Sequence, residues 1–230
     1  MEIKTVNLGP VSNSYVVTEN GKSMLIDTGC YLNQPGWACT MVMSGVMPNT
    51  ISLVALTHGH FDHAAGMHHA KVVTGAPVLA HPGAQTFLST GEFPAYVGRN
   101  EMGNNFIANV AGPAPLDVPE EVKIDVEATD GMSLAEYGFS GKVLFTPGHT
   151  TDSVSYVFED GSAFVGDTIL DPFGQGICTG AVICPDRDAL IASFEKLLAT
   201  NATTFYSGHG GPFTREQVEA AYKALVETND

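Results

Sequence analysis

Apolar positions along the chain fall into short runs punctuated by Gly, Asn, Asp and Pro, the pattern of many short strands interleaved with helices. Residues Ser14 to Thr18 alternate toward a Glu-Asn-Gly turn at 19–21, and "SMLID" (23–27) continues beyond it, so the pair predicts a hairpin. "GWACTMVMSGVM" (36–47) predicts a short apolar helix, and "ISLVAL" (51–56) a compact buried strand. Ala64 to Thr74 predicts a helix stopped by Gly75, followed by a strand in "APVLAH".

The second half repeats the theme. "GKVLFTPGH" (141–149), "SVSYVFE" (153–159) and "SAFVGD" (162–167) predict three strands, the last two joined at Asp160-Gly161. Leu190, Ile191, Phe194, Leu197 and Leu198 follow helical spacing behind Asp186 as N-cap, and "TTFYSGH" predicts another strand. A final helix starts at Thr214, with Gln217 three residues on as capping-box partner, and buries Val218, Ala221, Tyr222 and Leu225. Strands followed by helices in each half point to two β-sheets packed together with helices outside. The expectation is one domain over 1–230, interrupted at about 92–116 by an irregular, lid-like insertion that carries Phe93, Tyr96, Arg99 and Phe106.

Composition narrows the function. A chain of 230 residues, 44% apolar, can bury a full core, and its charge of −15 repels phosphate backbones, so no nucleic-acid partner is expected. No segment reads as a membrane span or a leader, which predicts a cytoplasmic protein without a membrane partner. Cys30, Cys39, Cys178 and Cys184 match no zinc-finger or redox spacing and read as plain buried side chains.

The chemistry concentrates in "LTHGHFDHAAG" (56–66), directly after the predicted strand 51–56. His58 and His60, two apart on extended chain, point the same way and can share one divalent ion; Asp62 and His63, at the turn into a helix, can face a second. Three further donors end predicted strands, each after a glycine: His149, Asp167 and His209. His68, His69 and His81 lack such a setting and are left out of the site.

This set, His58-x-His60-x-Asp62-His63 with Gly148-His149, Gly166-Asp167 and Gly208-His209, resembles the metallo-β-lactamase superfamily. "NSYVV" and "MLIDTG" also resemble that family's opening strands. The resemblance implies an α/β fold, a four-layer αββα sandwich of two mixed β-sheets flanked by helices. It implies one metal held by His58, His60 and His149, another by Asp62, His63 and His209, and Asp167 bridging them, with Asp27 orienting the ligands. The cofactors expected are two divalent metal ions, with Zn2+ the default and Fe or Mn accepted by the same donors.

Such a pair of ions, about 3.5 to 4 Å apart, makes a bridging hydroxide from water near neutral pH. Asp62 and Asp167 are the catalytic candidates for passing a proton to the leaving group. The expected activity is hydrolysis of a small-molecule ester, thioester or lactone. The alternatives are a mononuclear-iron persulfide dioxygenase, which shares the HxHxDH pattern, and a non-catalytic metal-binding protein. Particular subfamilies fit less well: dizinc lactamases carry cysteine in place of Asp167, flavodiiron proteins glutamate in place of His60, and lactonases a tyrosine where Leu170 stands. Glyoxalase-type thioesterases append a helical glutathione-binding domain that the short stretch after His209 does not match. A lactonase-like reaction would draw a donor from Tyr96 or Tyr156, and Arg99 is the candidate to meet a substrate carboxylate. The Met-rich 37–47 segment and the aromatic insertion offer apolar surface for a homodimer.

Overall fold

The computed structural model describes residues 1–30, 34–111 and 120–228. Three strands open the chain, β1 (Glu2–Val6), β2 (Ser14–Glu19) and β3 (Lys22–Ile26), antiparallel in succession. After helix α1 (Gln34–Met43), β4 (Ile51–Ala55) pairs parallel to β3. The short helices α2 (Phe61–Ala64) and α3 (Met67–Thr74) lead to β5 (Val78–Ala80). Beyond α4 (Gln85–Thr90) and α5 (Glu101–Phe106), β6 (Val126–Glu127) completes a six-stranded mixed sheet in the order β1-β2-β3-β4-β5-β6.

The second sheet follows. It is built from β7 (Gly141–Phe145), β8 (Val154–Phe158) and β9 (Ser162–Gly166), then β12 (Thr204–Ser207) and β13 (Phe213–Thr214), in the order β13-β12-β9-β8-β7. A small ribbon, β10 (Ile169–Leu170) with β11 (Thr179–Gly180), lies between β9 and helix α6 (Arg187–Leu198) in the chain, and α7 (Arg215–Glu227) ends it.

The period-two alternation of side chains sorts these strands into layers. In β3 and β4, Met24, Ile26, Leu53 and Ala55 join Tyr156, Phe158 and Phe164 of the other sheet in the central core, while Leu25 and Val54 face Trp37, Met67 and Ala70 beneath the helices. On the second sheet Val157, Ala163 and Val165 turn outward against Leu190, Phe194 and Leu225 of α6 and α7. Helix, sheet, sheet and helix therefore stack as the sequence pattern implies.

Several local expectations are met by the described caps. Asp186 accepts from the backbone N–H of Ala189, Thr214 and Gln217 form the reciprocal capping box, and Gly75 closes α3 in the left-handed region. Two differ. The helix predicted over 64–74 is broken, because Gly66 packs against the Thr28 carbonyl, where a Cβ would come within 2.2 Å of the oxygen. The insertion is not irregular throughout: Asn100 caps α5 by accepting from the Gly103 N–H, while Pro113 and Pro115 lie outside the described residues. Among the described residues no helix is long and apolar enough to cross a membrane.

Candidate metal centre

The strands that lead to the donors end on one side of the stacked sheets, and the donors lie in the turns beyond those ends, with Asp62 and His63 in α2. Beyond β4 the chain runs through Leu56 and Thr57 to His58; beyond β7, β9 and β12 it reaches His149, Asp167 and His209. Crowding there explains two of the glycines. Gly166 sits at φ +51 against Thr57, and a Cβ on Gly208 would lie 2.2 Å from Asp167 Oδ1 and 2.4 Å from His63 Cε1.

All seven predicted donors meet here. His149 Nε2 lies 3.2 Å from His58 Nε2 and 2.8 Å from His60 Nδ1, and the three rings are at most 2% exposed. Three nitrogens at a tetrahedral zinc-type ion stand about 3.3 Å apart, close to this spacing. On the other side, His209 Nε2 is 3.1 Å from both Asp62 Oδ2 and Asp167 Oδ2, and His63 Nε2 is 3.3 Å from Asp167 Oδ1 and 3.6 Å from Asp62 Oδ2. His149 Nε2 lies 3.7 Å from Asp167 Oδ2, so Asp167 stands between the two groups.

Fixed partners behind the rings set which nitrogen faces inward. His149 Nδ1 donates to the Ile183 carbonyl at 2.8 Å, His63 Nδ1 to Asp27 Oδ2 at 2.8 Å, and His209 Nδ1 to the Val11 carbonyl at 3.1 Å. Asp27 is itself over-determined: its carboxylate accepts from the Thr57 N–H and hydroxyl, and its backbone is held at φ +60, a conformation costing about 1 to 2 kcal/mol for a side-chain-bearing residue.

Several atoms of the set lack ordinary partners. His60 Nε2, His63 Nε2 and Asp167 Oδ1 are buried without a hydrogen bond, and with His149 Nδ1 donating to Ile183 its Nε2 offers only a lone pair toward His58 and His60. Such a set suits a cation better than any arrangement of its own protons. Electrostatics agree: burial pushes His58, His60 and His149 below the usual histidine range, His60 to about 3, so these rings are neutral and ready to ligate. For His63 and His209 burial acts the same way but is outweighed by Asp167 and Asp62, which hold both rings protonated, His209 up to about 10. Burial opposes ionisation of Asp62, yet His63 and His209 bring it down to about 2.

The remaining sequence candidates fall elsewhere. Tyr156 is buried and donates to the Leu56 carbonyl at 2.7 Å, so it faces no cavity; Tyr96 lines the site, its ring 4.9 Å from that of His60. Arg99 does not line the cavity. Its guanidinium lies beside Gly180, next to Phe194 and Leu190 under α6, which removes it as the partner of a substrate carboxylate. His68 meets Glu120 at 3.1 Å, and His81 stacks on Phe145. Of the cysteines Cys184 is buried, but Cys39 is exposed, so burial is not their common state.

Four contributors were missed by sequence reasoning. Asp152 accepts from the N–H of Gly59, between His58 and His60, at 2.8 Å across 93 positions of chain. Asp171 accepts from the N–H groups of Phe173, Gln175 and Gly176 and so shapes the loop beside the site. Pro10 and Val11 form one wall of the cavity. Only Asp171 offered a local clue, as an acid before Pro in a Gly-rich loop.

Comparison with known proteins places these features in a family. The sequence model of the metallo-beta-lactamase superfamily matches residues 9–209. The chain is 27% identical over 204 residues to the Beta-lactamase-like protein 2 homolog of Drosophila melanogaster, covering 86% of this chain and 58% of that protein. It is 26% identical over 201 residues to the Atrochrysone carboxyl ACP thioesterase of Aspergillus fumigatus, covering 86% of this chain and 50% of that one. The chain thus spans about half the length of the first curated relatives it matches. Among solved structures, the BLEG-1 B3 metallo-beta-lactamase superposes with a TM-score of 0.70 at 25% identity, over 97% of this chain and 99% of that one.

Proposed function

The chain belongs to the metallo-beta-lactamase superfamily, and from that premise we propose that it is a dinuclear metallohydrolase acting on a small ester, thioester or lactone. The observation that carries this reading is the convergence of seven imidazole and carboxylate side chains in clusters of metal-ligand spacing, with His60 Nε2, His63 Nε2 and Asp167 Oδ1 buried without a hydrogen bond. The thioesterase name of one relative supports the choice of acyl substrates.

In this reading His58, His60 and His149 would hold one ion and Asp62, His63 and His209 the other, with Asp167 placed between the two sets. Divalent ions bound there would supply Lewis acidity and lower the pKa of water toward neutrality. Zinc is the default ion for this imidazole and carboxylate set.

The chain's own residues do the rest. Asp27, Ile183 and Val11 fix the inward nitrogens of His63, His149 and His209, so that the rings need not reorient when loaded. Asp62 and Asp167, both on the cavity wall, are the carboxylates that take the proton of the attacking water and return it to the leaving group. Asp62, with 19% of its side chain exposed, is the more accessible of the two. Tyr96 closes the cavity over His60 and limits bulk water at the reacting carbonyl.

Elemental analysis of fully loaded protein, paired with a panel of esters, thioesters and lactones, tests the reading. Two metal equivalents and hydrolysis that chelation abolishes and zinc restores are expected. At most one equivalent, or iron-dependent oxygen uptake with a persulfide in place of hydrolysis, overturns it.

A further inference from the structure

The cavity over the centre holds about 500 Å3, within the usual range for a small-molecule site. Apart from the donors and Asp171, its side-chain walls are mainly apolar: Pro10 and Val11 on one side, Tyr96 and Phe106 from the insertion, Leu170 and Ile183 from the second half. Phe106 also forms the wall of a second groove of about 420 Å3, where it shares space with Met102 and Phe173. The Phe106 and Phe173 rings meet edge to face at 5.9 Å, so helix α5 and the 171–177 loop form one aromatic lip over both spaces. Phe173 is 50% exposed and Met102 40%, apolar surface left open to solvent at the mouth.

Charge points the same way. All ten lysines and arginines fall among the described residues, and none lines either space. Six of the ten are engaged elsewhere: Lys71 with Asp125, Lys196 with Asp130, Arg215 with Glu219, Lys223 with Glu227, Arg187 on the Leu225 carbonyl and Lys4 on the Gly45 carbonyl. The charged groups that do line the spaces beyond the centre are acids, Asp171 in the cavity and Glu101 in the groove. A substrate anion away from the reacting carbonyl would meet aromatic rings, carboxylates and the neutral side chains of Asn105 and Asn109 at the groove, with no cation to replace its hydration.

We propose that this site takes an ester or thioester whose acyl group is uncharged and apolar, its chain running past Phe106 into the groove beside Phe173. The bond that reacts rests on the hydrolase reading above; the preference for an uncharged chain does not.

The test uses metal-loaded protein and two parallel series. N-acetylcysteamine thioesters from acetyl to octanoyl, with adipoyl as the charged counterpart of hexanoyl, read turnover; acetamide to octanamide, with adipamate against hexanamide, read binding by NMR titration. kcat/KM and amide affinity are expected to rise about twofold to fourfold per methylene. The adipoyl and adipamate compounds are expected to fall at least about tenfold below their uncharged partners. Octanamide should shift the ring resonances of Phe106 and Phe173. Phe173→Arg, at an exposed position that leaves the fold intact, should bring adipamate and hexanamide close to parity. Equal binding of adipamate and hexanamide by the wild-type chain, or affinity independent of chain length, overturns the proposal. Chain-length-dependent amide binding with no turnover of these thioesters or of the ester and lactone panel leaves the preference for an uncharged chain standing and defeats the hydrolase reading instead.

Discussion

Two triads of donors face one another across Asp167, and they solve different problems. His58, His60 and His149 are nearly sealed from solvent, and burial keeps all three rings neutral. Asp62, His63 and His209 are more open, with 19% of the Asp62 and 22% of the His209 side chain exposed, and there the carboxylates hold both imidazoles protonated. One triad is preset for a cation; the other already contains the positive charge that a cation would supply. Equal numbers of donors therefore need not mean equal affinity, because the second triad must release protons before it can ligate.

The harshest test of that pairing removes the group common to both. Asp167→Ala is expected to lower kcat/KM by about 10³-fold and to reduce loading at both triads. Kinetics and elemental analysis on the same preparation check it. Loss at one triad alone would mean that Asp167 serves a single ion.

Acidity should then separate the triads. A raised pKa means that His63 and His209 carry protons throughout the neutral range, up to about 10 for His209. Loading the Asp62 side near pH 7 is expected to release about two protons, so its affinity falls about 100-fold for each unit of pH lowered. The three-histidine side, whose rings all titrate below 6.5, should release almost none and lose little affinity over the same range. Calorimetry in buffers of different ionisation enthalpy counts the protons, and equal release from both steps contradicts the comparison.

Orientation from behind gives a smaller effect on one side only. Asp27→Ala removes the acceptor of His63 Nδ1 and of two groups of Thr57. Metal affinity on the Asp62 side should fall about 10- to 100-fold, while the three-histidine side, whose His149 leans on the Ile183 backbone carbonyl, should change far less. Stepwise metal titration of the variant distinguishes the two.

The triads also differ in how they could be read from the chain. His58, His60, Asp62 and His63 sit within six positions, and the distant donors each close a strand after glycine, so local pattern was enough to collect all seven. What escaped was whatever acts through long-range backbone contact. Asp152 reaches Gly59 across 93 positions, and Val11 supplies only a carbonyl to His209, which no side-chain pattern records. The fold behaved likewise. Strands buried on both faces, such as β3 and β4, announced themselves, whereas β1 fully buries only Val6 and β6 is two residues long. The break in the predicted 64–74 helix came from the Thr28 carbonyl, a neighbour only in the folded chain.

The mildest prediction guards the membership of both triads. His68 lies one turn beyond the ligand motif on α3, and its Nε2 meets Glu120 Oε2 at 3.1 Å near the surface. An exposed pair of this kind contributes at most about 1 kcal/mol. His68→Ala should therefore keep full metal content, change kcat/KM by less than about twofold and leave the proton count of each loading step as in the wild type. Its position makes it the strictest available control, since any histidine able to feed protons or donors into the Asp62 side from α3 would act from here. A lost metal equivalent or a reduced proton count in this variant would enlarge the more open triad beyond Asp62, His63 and His209, and the contrast with the sealed one would have to be redrawn around four side chains.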